Sequence, residues 1–98
     1  MALAVLWTKR ADKKLEKIVD YLQEEWNDNV ARAFVKRVYD FVDILIKFPE
    51  IGKIEHEERK IRGFVLVKQV TLFYKVTKDG IVILNLFDTR LKPSKKRY

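Results

Sequence analysis

The chain has 98 residues, enough for one domain with one core, and its 48% hydrophobic content argues against intrinsic disorder. With no cysteine, disulfide frameworks and thiolate metal sites are excluded. The formal net charge is +7, and it is unevenly placed: residues 1–50 balance nine Lys/Arg against nine Asp/Glu, whereas residues 51–98 set twelve against five. An excess confined to one half points to a polyanionic partner, either nucleic acid or an acidic protein. The first residues lack a basic segment before their short apolar run, so they do not read as a signal peptide. No run approaches the roughly 18 apolar residues of a membrane span. The expectation is a cytoplasmic, single-domain protein, residues 1–98, with no membrane partner.

In chain order, Leu3 to Thr8 is short and apolar and reads as a strand, with Thr8 placed to cap the helix after it. From Lys9 to Trp26 the apolar residues Ala11, Leu15, Ile18, Val19, Leu22 and Trp26 recur at steps of 4, 3, 1, 3 and 4, which is one stripe of a helix. Asn27, Asp28 and Asn29 break the pattern and supply caps. A second helix carries Val30, Phe34, Val38, Phe41, Leu45 and Phe48 at steps of 4, 4, 3, 4 and 3, and ends at Pro49. The short connection makes the two helices an antiparallel hairpin. Trp7 and Trp26 are expected to pack against the core or within the hairpin. Residues 53–60, KIEHEERK, read as a charged loop.

Three strands come next: IRGFVLV at 61–67, VTLFYKV at 70–76 and IVILNLF at 81–87, the last two joined by an Asp-Gly turn. The order β-α-α-β-β-β defines an α+β fold of two layers, with the helix hairpin packed on an antiparallel sheet. Residues 91–98 read as a mobile basic tail.

The chemistry is narrowed first by what is absent. His56 is the single histidine and Ser94 the single serine, so nucleophilic triads and histidine metal sites have no parts. Three scattered glycines form no phosphate-cradling loop. No metal or cofactor is expected. What remains is basic and aromatic: Arg59, Lys60, Arg62, Lys68, Lys75, Arg90, Lys92, Lys95, Lys96 and Arg97, with Tyr74 and Tyr98 among them. If Ile61 points to the helices, Arg62 points away, and the sheet face opposite the helices becomes a basic platform. Such a platform binds phosphates, or cleaves RNA by stabilising the phosphorane with Lys and Arg while a Tyr or Lys moves the proton. Arg90 has a plainer alternative, an ion pair with Asp88 or Glu50.

Four stretches in order carry a resemblance: the strand ending in Trp7 and Thr8, the helix sequence YLQEEW at 21–26, LIKFPEIG at 45–52, and the block IRGF…LFYKV…IVILNLFDTR. Across nearly its whole length the chain resembles the RelE/ParE superfamily, the toxins of type II toxin–antitoxin modules, also met as plasmid stabilisation proteins. The resemblance implies a growth-inhibiting toxin held inactive in a hetero-oligomer by a cognate antitoxin. RelE-like members cut mRNA on the ribosome with basic sheet residues and a Tyr near the C-terminus, whereas ParE-like members inhibit DNA gyrase. On the RelE-like pattern Arg62, Arg90 and Tyr98 take the catalytic positions, while Arg59, Lys60, Lys68, Lys92, Lys95, Lys96 and Arg97 bind target or phosphate. Thr71 stands where that pattern carries an Arg, which favours gyrase over the ribosome. The alternatives are the ribosome-dependent endoribonuclease and a non-toxic basic module that binds nucleic acid or protein.

Overall fold

The computed structural model describes residues 4–91. In chain order the elements are β1 (Ala4–Trp7), α1 (Lys9–Glu25), α2 (Asp28–Lys47), β2 (Lys53–His56), β3 (Ile61–Val67), β4 (Val70–Thr77) and β5 (Gly80–Asp88). The strands form one five-stranded sheet in the order β1-β5-β4-β3-β2.

Both helices begin where a side-chain oxygen satisfies an orphan backbone donor. Thr8 Oγ1 accepts from the Ala11 N–H at 3.1 Å and faces the Ile83 and Leu84 carbonyls of β5 at 3.1 and 3.2 Å, tying the start of α1 to the sheet. Asn27 Oδ1 accepts from the Val30 N–H at 2.9 Å. The expected stripes are buried through their middles: Ala11, Ile18 and Leu22 on α1, and Phe34, Val38, Phe41 and Leu45 on α2. They meet Leu66, Val70, Leu72, Tyr74, Ile81, Ile83 and Leu86 of the sheet, and the Phe41 ring stacks on Phe64 at 4.2 Å. Burial of each such large side chain contributes about 1.5–3 kcal/mol.

The ends of the stripes depart from expectation. Trp26 is 64% exposed and Phe48 is 62% exposed. Each occupies the C-cap position, with ψ of −98° and 72°, so the helical period that would turn it inward has already stopped. Trp7, by contrast, does pack against the core.

Three further corrections concern the sheet. It is mixed: β1 pairs parallel with β5, Ala4 against Gly80 through Trp7 against Ile83, and the other pairings are antiparallel. Residues 53–56 are an edge strand rather than loop, Lys53 opposite Gly63 and Ile54 opposite Arg62, with a register shift between Ile54 and His56. Their charge hid them, since edge strands carry the Lys and Glu that central strands lack. Finally, because Phe64 stacks on Phe41, the set Arg62–Phe64 faces the helices and Ile61 lies on the outer face.

Two glycines fix close approaches. Gly80 opens β5 at φ 148°, where a Cβ would sit 2.3 Å from the Ala4 carbonyl oxygen. At Gly52, a Cβ would meet the Tyr74 ring and hydroxyl at 2.7 Å.

Candidate functional site

Arg62 lies across from Tyr74 on β4 and from Ile54 on β2, all on the helix side of the sheet. From there it reaches the segment that leaves α2: its Nη1 donates to the Gly52 carbonyl at 2.7 Å and the Glu50 carbonyl at 3.2 Å. The fully buried Tyr74 completes the clamp. Its hydroxyl donates to the Pro49 carbonyl at 2.8 Å and accepts from the Gly52 N–H at 2.8 Å. Burial raises the Tyr74 pKa, opposed in part by the Gly52 hydrogen bond and the nearby Arg62 charge. Residues 49–52 are thus held by two side chains of adjacent strands, while Phe48 and Ile51 point into solvent. Beside the clamp is a cleft of about 440 Å³ lined by Pro49, Glu50, Ile54, Glu57, Lys60, Arg62 and Val76. Lys60 turns the β2–β3 connection with φ 55°, and the Arg59 N–H donates to His56 Nδ1 at 3.1 Å.

Arg90 lies beyond the other end of β5. Its Nε and Nη2 donate to Asp88 Oδ1 and Oδ2 at 3.0 and 2.7 Å, and its backbone N–H donates to Oδ1 at 2.9 Å. The Asp88 side chain is fully buried and that of Arg90 is 24% exposed. The guanidinium also lies over the Tyr21 ring of α1, 5.2 Å from its centroid. The hydrogen bond to Asp88 raises the Arg90 pKa, so this side chain is a fixed cation. The plainer alternative for Arg90, pairing with Asp88, is therefore the observed geometry.

The structure brings Arg59, Lys60 and Arg62 to one end of the sheet and places Lys68, in the β3–β4 turn, with Arg90 at the other. Arg62 is level with Tyr74, and Asp88 with Val70. Four residues of strand separate those levels, about 13 Å. The expected basic platform on the outer face is not what the register produces: of the cations within β3, β4 and β5, only Lys75 falls on that side. Lys92, Lys95, Lys96, Arg97 and Tyr98 lie outside the described residues. Leu91, the first residue of the expected tail, is held: its N–H donates to the Asp88 carbonyl at 3.2 Å and its side chain packs on the core. Among the described residues no three His, Cys, Asp or Glu gather as metal ligands, and no helix is long and apolar enough to cross a membrane. Sequence reasoning missed Tyr21 as a partner of Arg90, since nothing in residues 21 and 90 signals contact before the topology is known.

A helix hairpin on this sheet is the fold of the RelE/ParE class of toxins. The structure of a chromosomal ParDE toxin–antitoxin system from P. aeruginosa is similar at a TM-score of 0.75 and 19% identity, covering 89% of this chain and 96% of that one. A YoeB/ParE toxin from Agrobacterium tumefaciens is similar at 0.62 and 12% identity, covering 88% and 98%. No curated protein sequence matches significantly. The model of the ParE toxin family, described as the ParE toxin of the type II toxin–antitoxin system parDE, matches residues 5–91, and the chain belongs to that family.

Proposed function

We propose that this ParE-family toxin arrests growth by binding DNA gyrase in the cytoplasm, and that a cognate antitoxin neutralises it in a hetero-oligomer. The observation that carries this reading is the commitment of Arg62 and Arg90 to structural bonds at opposite ends of the sheet. RNA cleavage needs cations converging within about 3 Å of one phosphorane. Two guanidiniums at opposite ends of the sheet, each already donating to the protein, do not supply that. Thr71, in place of the third basic residue of the RelE-like pattern, removes another part. Inhibition by binding asks instead for a preorganised surface. The clamped segment supplies one: Phe48, Ile51 and Ile54 stand exposed around a main chain fixed by Tyr74 and Arg62.

Induced expression with pulse-labelled nucleic acids tests the reading. Arrest of DNA synthesis with intact mRNA, and inhibition of supercoiling by purified gyrase, are the expected results. Prompt mRNA cleavage with DNA synthesis continuing would replace this reading with the ribosome-dependent one.

A further inference from the structure

The charges of α1 sum to zero, yet they are segregated. Its first nine residues hold Lys9, Arg10, Lys13, Lys14 and Lys17 against Asp12 and Glu16; the remainder holds Asp20, Glu24 and Glu25 and no cation. This order opposes the helix dipole, which favours anions at the N-terminal end. Arg10, Lys14, Lys17 and Tyr21 succeed one another at steps of 4, 3 and 4 and share one flank of the helix. That flank runs beside the end of β5, where Arg90 covers the Tyr21 ring. Lys14 is half-buried there. Burial lowers its pKa, as do Lys17 and Arg10, with Asp88 acting in the opposite sense. Repulsion between cations held in line on one flank is relieved by a polyanion laid along them.

We propose that this flank of α1, carrying Arg10, Lys14 and Lys17, is a binding site for the phosphate backbone of duplex DNA. The three cations span about 10 Å of helix axis, a line that meets successive phosphates. An amphipathic acidic peptide fits this flank poorly, because the flank carries no exposed large apolar side chain, the exposed Trp26 standing past the last turn. Single strands are held by stacking on open aromatic faces, whereas the ring on this flank, Tyr21, is covered by Arg90. The inference rests on the gyrase reading only for its use, since gyrase works on duplex DNA and a toxin that also grips the duplex engages the enzyme where it acts.

Fluorescence anisotropy with a short labelled duplex, the full chain and graded salt tests it. The affinity of the wild type is expected to fall with salt by a log–log slope of about 0.9 for each phosphate neutralised. R10Q/K14Q/K17Q should flatten that slope by about 2.7, with unchanged circular dichroism. R10K/K14R/K17R should keep it, as should K53Q/K78Q, two exposed lysines away from this flank. An unchanged slope in the glutamine variant, or preferential binding of poly-glutamate or single-stranded RNA, overturns the proposal. Supercoiling inhibition is scored separately, so absent DNA binding with intact inhibition sinks this inference and leaves the gyrase reading standing.

Discussion

Replacing Tyr74 with Phe removes one oxygen from the middle of the clamp and leaves the ring in place. That oxygen makes two hydrogen bonds of 2.8 Å, one with the buried Gly52 N–H and one with the Pro49 carbonyl. Each contributes about 0.5–1.5 kcal/mol net, and stranding a buried donor costs about 1–3 kcal/mol, so the expected loss is about 2–3 kcal/mol. Against a domain stability of about 5–15 kcal/mol, that is large. With a urea m-value of about 1–3 kcal/mol per molar, the unfolding midpoint falls by roughly 0.7–3 M at unchanged slope. Because Arg62 holds the same segment through the Glu50 and Gly52 carbonyls, Y74F and R62M should be non-additive by more than about 0.5 kcal/mol. A Y74F midpoint within about 0.3 M of wild type would show that the hydroxyl does not hold the segment, and the preorganisation argument would fall with it.

The clamp also sets an alkaline limit. Since burial raises the Tyr74 pKa above 10.0, the neutral hydroxyl contributes stability that is present below pH 10.0 and lost as pH rises through the folded-state value. Urea unfolding on either side of that pH should show this loss in the wild type and not in Y74F. R90A removes both side-chain donors from the buried Asp88 carboxylate, and is expected to destabilise by about 3–5 kcal/mol by thermal melting. D88N/R90M should cost less than R90A and retain toxicity on induction, whereas a catalytic Arg90 would make both variants harmless. G80A forces a Cβ against the Ala4 carbonyl at a φ of 148°. It should cost more than about 2 kcal/mol and speed hydrogen exchange of the β1 amides selectively.

Periodicity carries most of the architecture because it reports burial directly. The stripes of α1 and α2, the Thr8 cap and the three long strands are legible for that reason. The edge strand β2 is not, because an edge bonds on one side only and tolerates the Lys, Glu and His that a central strand rejects. Which face of β3 meets the helices turns on one tertiary contact, Phe41 on Phe64, and alternation alone assigns two sets without saying which points inward. That single bit decides whether Arg62 stands on a platform or clamps a loop. The sequence FDTR places Arg90 after the last strand and near Asp88, as observed, while its stacking on Tyr21 joins residues far apart in the chain.

The parallel pairing of β1 with β5 also orders events in time. The main strand partner of α1 is β5, and the Thr8 hydroxyl that starts α1 faces a carbonyl 75 residues downstream. Contacts of such separation form slowly, because a long loop must close before anything rewards it. During synthesis the N-terminal third therefore waits, its apolar stripe unsheltered, until the last strand of the sheet has emerged. The newborn toxin has no finished surface with which to engage its target before that strand is made, and until then the exposed hairpin is the part of the chain open to capture by proteases or by a waiting partner.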